Sequence, residues 1–523
     1  MISKRVALEP YVVLLEDELS THEMKRSKEN LWQIDGAELL FSPTAQGNSI
    51  VLRASAKAVK RIECRWDIKI KTGTKFLGDH WERGYGDLEW RGIVPERVMP
   101  WYVMANFGQA TEGFGVRTNP GAFAYWKVNS QFVTLVLDVR SGSNGVRLGQ
   151  RPLSVATIVT REAKPNESAF TATTEFCKVM HDAPRRTALP VYGANDWYFR
   201  YGENSEATVL LDGSIVSELS TSSTNRPYMV IDDGWQRKTD WDDLDAGGEH
   251  INSNSKFPDM AALAGKLKAM GTHPGIWVRP ITAQKDLSEK LLLKGRRKIM
   301  DPSIPEVLAL ITKNFQQLTQ WGYELIKPDF TTFDLLGKWG KDMGADLAAG
   351  EWSFSDSSRT TAEIIRQLYQ TLRDAAGQAV IIGCNTVGHL GAGLFEIQRT
   401  GNDTSGLEWE KTRRMGVNTL AFRMPQHDTF FTADADCVGL TKKISWQLNK
   451  EWLNLLAKSG TALFVSFEPE MIGSEQRKAL KESFSLAAIP QQPIEPLDWM
   501  DNICPTEWRS ETELISNNWF SLK

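Results

Sequence analysis

The chain has 523 residues, 41% hydrophobic and 24% charged, the balance of an ordinary globular protein long enough for two or three domains. A formal net charge of −4 and a pI near 6.1 offer nothing that would draw it to nucleic acid or to anionic lipid. Cys64, Cys177, Cys384, Cys437 and Cys504 are odd in number, widely spaced and without a CxxC pair, which argues against a disulfide framework or a structural zinc site.

No apolar run is long enough to span a membrane. Met1-Ile2-Ser3-Lys4-Arg5 is not followed by a signal-type apolar core, because Leu8-Glu9-Pro10 interrupts it. A chain whose leader had been removed would look the same, so a periplasmic or secreted location and a cytoplasmic one both stay open. The 19 tryptophans fit two readings equally, a Trp-rich core or ring faces that stack on sugars.

Residues 1–185 read as all-β. Short β-branched runs such as Tyr11–Leu15, Ser49–Arg53 and Phe132–Leu137 are separated by turn formers, among them Gly47-Asn48 and Ser141–Gly145. The spacing predicts an N-terminal β-sandwich. Its segment Asp79–Trp90 is loop-like, aromatic and charged; it is either a lip lent to a neighbouring cleft or a surface loop.

Over residues 186–472 the pattern becomes α/β. Strand candidates run Val191–Trp197, Tyr228–Asp232, His273–Val278, Tyr323–Lys327, Ala379–Gly383, Leu394–Gln398, a seventh between about Asn418 and Asp434, and Ala462–Ser466. Amphipathic helical stretches lie between them, including Pro305–Trp321 and Thr361–Ala376. Eight such units over roughly 285 residues predict a (β/α)8 TIM barrel, with a doubly wound sheet as the alternative. No Gly-rich phosphate turn follows any strand, which weakens nucleotide-type folds. Residues 473–523 read as a helix and then an irregular, proline-interrupted segment, either packed under the barrel or the remnant of a longer β module.

In such a barrel the active site lies at the carboxyl ends of the strands. The first candidate strand ends in Asn195-Asp196-Trp197, the second in Asp232-Asp233-Gly234-Trp235, and the third carries Trp277 and Arg279. The fourth ends in Lys327-Pro328-Asp329. Positions i and i+2 of a strand share a face, so Lys327 and Asp329 are expected to enter one cleft, the ammonium favouring the ionised carboxylate. Cys384 and Asn385 end the fifth strand, Arg399 and Asp403 follow the sixth, and Asp434 and Asp436 follow the seventh. Singly, each is explained as well by a turn, a helix cap or a surface ion pair. Carboxylates at the same end of five successive strands are not explained that way.

Glycosidic hydrolysis uses such a set, one carboxylate as nucleophile and a second carboxyl group as proton donor. With seven histidines and no HxH or HExxH pattern, a metal-dependent hydrolase is disfavoured, and no cofactor or metal is expected.

At these residues the sequence resembles the melibiase-type α-galactosidases, the glycoside hydrolase clan that contains families 27 and 36 and the raffinose-synthase-like proteins. The resemblance covers about residues 190–470. It implies that Asp329 is the nucleophile and Asp403 the acid/base. It further implies that Asp232 and Asp233 grip the 4- and 6-hydroxyls of galactose, that Trp197 and Trp277 wall the ring, and that Lys327, Cys384, Asn385 and Arg399 complete the substrate-binding set. Ala435 replaces the proline of the family's Asp-Pro-Asp element. The Cys384–Gly388 segment follows neither branch of the family; Asn385 and Gly388 leave room at the sugar's 2-position for a hydroxyl or an acetamido group. The expected partner is a carbohydrate with a terminal α-galactosyl-type residue. The expected activity is retaining exo-α-galactosidase. The alternatives are α-N-acetylgalactosaminidase, a galactosyl-transferring transglycosidase and a catalytically silent sugar-binding protein. The sequence leaves assembly into a homo-oligomer open.

Overall fold

The computed structural model describes residues 1–238, 246–284 and 286–520. Two antiparallel sheets form the N-terminal layers. One has six strands, with Val59–Asp67 and Phe132–Asp138 at its centre; the other has eight, with Gly47–Arg53 and Leu153–Arg161 at its centre. Alternation makes them pair face to face: in Val12–Asp17, Val13 and Leu15 are fully buried while their neighbours are half-exposed.

A closed barrel of eight parallel strands follows, as the sequence predicts: β1 (Tyr192–Asn195), β2 (Tyr228–Ile231), β3 (His273–Val278), β4 (Leu325–Pro328), β5 (Val380–Gly383), β6 (Ile397–Arg399), β7 (Thr432–Leu440) and β8 (Ala462–Phe467). Val230, Leu325, Ile382, Ile397, Cys437 and Phe464 fill its interior. Their neighbours Ile231, Ile326, Ile381 and Val465 turn outward to the helices. This parity matters for the site, because the inward set continues from Leu325 to Lys327.

The helices are locally specified. Thr361–Ala375 opens on a capping box: Thr360 Oγ1 accepts the Glu363 N–H (3.1 Å) and Glu363 Oε2 accepts the Thr360 N–H (2.9 Å). Its buried stripe is Ile364, Ile365, Leu368, Tyr369 and Leu372. Pro305 begins Pro305–Gln320, where a missing N–H costs nothing.

Two elements depart from the sequence reading. The apolar run expected to hold the seventh strand is helical over Thr419–Arg423. The strand begins only at Thr432, so Asp434 and Asp436 lie within it, at a bulge against β8, rather than after it. Helix Ser474–Ala487 packs on the helices Trp446–Lys458 and Glu206–Leu219 and completes the ring around the barrel. Beyond it a three-stranded antiparallel sheet (Glu495–Pro496, Glu507–Arg509, Leu514–Ser516) is fixed by tryptophans. Trp499 meets Trp90 of the sandwich edge-on at 5.5 Å, and Trp519 meets Trp452 at 6.3 Å. Most large indoles, including Trp66, Trp101, Trp126, Trp235 and Trp452, are core. Among the described residues no helix is long and apolar enough to cross a membrane.

Candidate active site

The carboxyl ends of the barrel strands converge on a buried polar cluster. At β4, Lys327 and Asp329 both face inward but do not pair with each other. Lys327 Nζ donates to Asp232 Oδ2 at 2.7 Å. That oxygen also accepts Asn195 Nδ2 (2.7 Å), and Oδ1 accepts the Asp233 N–H (2.9 Å). Despite burial, the Asp232 carboxylate holds the Lys327 ammonium well above its ordinary value.

Asp329, 8% exposed, is held by three neutral donors. Oδ1 accepts the backbone N–H groups of Phe330 (2.7 Å) and Asn385 (3.0 Å); Oδ2 accepts the indole N–H of Trp277 (3.0 Å). Phe330 adopts a left-handed conformation (φ 61°), uncommon for an aromatic residue, and its N–H turns back onto the carboxylate. Burial would raise the Asp329 carboxyl, but Arg83 first, then Lys327 and the hydrogen bonds from Trp277 and Phe330, hold it below the usual range.

The paired aspartates of β2 differ in role. Asp233 Oδ1 accepts the N–H groups of Gly234 (2.8 Å) and Gly247 (3.1 Å), and burial, aided by adjacent Asp232, pushes its carboxyl up to about 6. Gly234 is obligatory here: its φ is 111°, and a Cβ would stand 2.5 Å from Asn204 Oδ1 and the Gly202 carbonyl. Asp196 accepts the Asp232 N–H at 2.7 Å. Burial, with Asp232 adding to it, raises Asp196 to about 7.

Arg399, 1% exposed, links β5, β6 and β7. It reaches Cys384 Sγ (3.5 Å), Asp403 Oδ1 (3.2 Å) and Asp436 Oδ2 (2.7 Å). Asp436 also accepts the Thr404 N–H (2.8 Å) and the Tyr198 hydroxyl. Against the cost of burial, Arg399 and then Lys327 hold Asp436 low, whereas burial keeps Asp434 up at about 6. Asp403 is the open member of the cluster, its side chain 47% exposed.

Trp197 lies half-buried over the barrel core, edge-on to Tyr201 at 5.5 Å. Trp277 is 2% exposed and meets the site through its N–H on Asp329. Asn385 departs most from expectation. Asn385 lies two residues beyond the end of β5, and its side chain is bonded within the protein rather than open to the cleft. It is fully buried, its Oδ1 accepting the Phe333 N–H (3.0 Å) and its Nδ2 donating to Glu82. It serves the site through its backbone N–H instead. Arg279, also noted at a strand end, is spent on Asp334 (2.6 Å) and the Phe330 ring (4.4 Å).

Two contributors went unassigned in the sequence. The sandwich segment Asp79–Trp90 does form a lip on the barrel: Gly84 and residues 400–402 exchange backbone hydrogen bonds at 2.8 Å, bringing Glu82 and Arg83 into the cluster. Its charged and aromatic composition was the available signal. Trp339, 38% exposed and packed on Phe333 at 4.6 Å beside Phe330, adds an open indole next to the residue that follows Asp329. Among the described residues no group of three or more His, Cys, Asp or Glu side chains is arranged to hold a metal ion.

No model of a known protein family matches the sequence, nor does any curated protein sequence. Solved structures share the fold. An α-galactosidase from Thermus thermophilus, in complex with p-nitrophenyl α-D-galactopyranoside, superposes with a TM-score of 0.62 at 15% identity, over 97% of this chain and 98% of that one. A Geobacillus stearothermophilus family 36 α-galactosidase in complex with raffinose gives 0.56 at 11% identity, over 95% and 78%. A Flavobacterium johnsoniae family 31 dextranase complexed with glucose gives 0.55 at 10% identity, over 98% and 69%. The fold of this chain is therefore shared with α-galactosidases and with a dextranase.

Proposed function

We propose that the chain is a retaining exo-acting α-galactosidase. The observation that carries the reading is the asymmetry of two carboxyl groups at one barrel mouth: Asp329 buried and held ionised by surrounding charge, Asp403 half-exposed at the rim and oriented by arginine. That is the division of labour of a nucleophile and an acid/base.

In the first step Asp329 attacks the anomeric carbon as the glycosidic C–O bond breaks, and Asp403 gives its proton to the departing oxygen. Asp329 Oδ2 is the attacking atom, since Oδ1 is occupied by two backbone donors. Oδ1 of Asp403 faces two guanidinium groups, so Oδ2 is the oxygen left to face the departing group. In the second step water attacks the same carbon, Asp403 takes its proton, and Asp329 is released. Retention places the two carboxyl groups about 5–5.5 Å apart in the working complex. Asp232 and Asp233 anchor the ring hydroxyls at the far side of the cleft, and Lys327 fixes Asp232.

Hydrolysis of p-nitrophenyl α-galactoside, with the product anomer followed by NMR, tests the reading. Asp329→Ala is expected to abolish turnover, and substantial hydrolysis by that variant overturns the assignment. Because a dextranase shares the fold, the α-glucoside is the control substrate; preferential cleavage of it, or of the 2-acetamido analogue, moves the specificity to glucose or to N-acetylgalactosamine. Product analysis with a sugar acceptor distinguishes transglycosylation.

A further inference from the structure

Arg83 belongs by sequence to the β-sandwich, yet its side chain is 3% exposed and buried in the barrel mouth. Its Nη1 lies 3.5 Å from Asp403 Oδ1 and 4.0 Å from Cys384 Sγ, and its Nε lies 3.8 Å from Glu82 Oε2. Burying a guanidinium costs several kcal/mol unless partners compensate. Here the partners belong to the cluster around the reacting carboxyl groups, not to the sandwich core. The lip that delivers it is anchored independently: Arg423 holds Asp79 (2.8 Å), the Trp81 indole donates to the Gly344 carbonyl (2.9 Å), and Gly84 bridges to Gly401. Glu82 is part of the same device. It accepts Asn385 Nδ2 and the Tyr85 hydroxyl, so it fixes the residue whose backbone N–H holds Asp329.

We infer that Arg83 is a positioning residue for catalysis, supplied by the N-terminal domain, that sets the electrostatic environment of Asp329 and the orientation of Asp403 together. The inference rests on the nucleophile and acid/base roles proposed above. It makes the barrel's active site incomplete without the sandwich.

The charged and titratable groups facing Asp329 are Arg83 and Glu82 from the lip, Lys327 on its own strand, Asp334 from the helix Thr331–Leu336 and Cys384 just beyond β5. The two cations lower its carboxyl, while the charge of Asp329 in turn raises Glu82, Asp334 and Cys384. Of the two cations Arg83 acts more strongly on Asp329, Lys327 being hydrogen-bonded to Asp232. Removing Arg83 therefore raises the Asp329 carboxyl. Activity that needs Asp329 ionised is lost as pH falls through that value, so the acidic limb of the rate profile moves to higher pH.

The test compares Arg83→Met and Arg83→Lys with wild type, all melted first to confirm folding. Arg83→Met is expected to lower kcat/KM for p-nitrophenyl α-galactoside about 10- to 100-fold and to move the acidic limb up by about one pH unit; Arg83→Lys restores the limb more than the rate. A role in docking alone would leave the limb in place. Carbon-13 titration of the aspartate carboxyl groups, with the Asp329 signal identified by its absence in Asp329→Asn, reads the same shift without substrate. An Asp329 titration unmoved in folded Arg83→Met overturns the inference. Failure of wild type to hydrolyse galactosides overturns the activity instead, and leaves the titration to decide this point.

Discussion

Replacing Lys327 with methionine isolates the central ion pair of the site. Lys327 and Asp232 are 7% and 3% exposed, with 2.7 Å between Nζ and Oδ2. At an effective dielectric of about 20, that separation corresponds to roughly 6 kcal/mol of attraction before the cost of burying both charges is subtracted. Methionine keeps most of the volume but leaves Asp232 buried with only Asn195 and the Asp233 N–H as donors, beside Asp233 and Asp196. Breaking such a pair from one side costs about 3–5 kcal/mol. For a protein of this size that is a fall of about 3–5 °C in Tm. The double variant Lys327→Met/Asp232→Asn removes the orphaned charge and is expected to recover more than half of the Tm. Thermal melting of wild type, the two single variants and the double variant measures this cycle. A Lys327→Met variant within about 1 °C of wild type, or a double variant no better than that single, refutes the buried-pair argument.

Three further outcomes follow from other residues. Asp233, raised by burial and by Asp232 to about 6, contributes stability that is complete below about pH 4 and is lost as pH rises through 6; Asp233→Asn is expected to gain about 1–2 kcal/mol at pH 8 and nothing at pH 4 by melting, while hydrolysis of galactosides falls. Asn385→Ala leaves the Phe333 N–H without its acceptor and takes one of several donors from Glu82, costing about 1–3 kcal/mol, yet the ratio of kcat/KM for 2-hydroxy and 2-acetamido galactosides is expected to stay within about twofold, because the side chain is fully buried and bonded within the protein. Asp403→Ala is expected to lose about 10²–10⁴-fold on substrates with poor leaving groups and much less on nitrophenyl galactosides, a contrast that parallel assays read directly.

The barrel was legible because each strand ends an apolar run in residues a core does not accommodate, and because periodicity of two assigns Leu325, Lys327 and Asp329 to one face. Asn385 lies beyond the end of β5, where strand parity no longer applies, and the contacts that occupy its side chain, with Phe333 and with Glu82 of the sandwich lip, come from elements distant in sequence. The seventh strand was misplaced for a different reason. Asn418–Thr432 has the apolar content of a strand but folds as helix and turn, while Thr432–Leu440 carries two aspartates, Asp436 held by Arg399, Tyr198 and Thr404 and Asp434 by the Asp436 N–H. Arg83 could not be assigned from sequence, since it and Asp403 are 320 residues apart and belong to different domains. Local pattern reports which face a side chain occupies, not which distant element will cover that face.

The placement of the cations explains why a lysine two residues before a nucleophile need not touch it. A carboxylate bound directly to an ammonium has its reactive lone pair committed, and attack must first break the contact. Here each cation is fastened elsewhere: Lys327 to Asp232, Arg399 to Asp436 and Asp403, Arg83 to Asp403 and Cys384. The direct contacts of Asp329 are three neutral N–H groups, which orient the carboxylate and supply little net charge. Lys327 and Arg83 still act on it through a medium of low polarisability, where charge is felt beyond hydrogen-bond range. Ionisation is thus maintained at a distance while Oδ2 keeps only the indole N–H to release. When the glycosyl bond to Asp329 forms, its negative charge disappears, but no ion pair is severed, because none was made with the reacting atom.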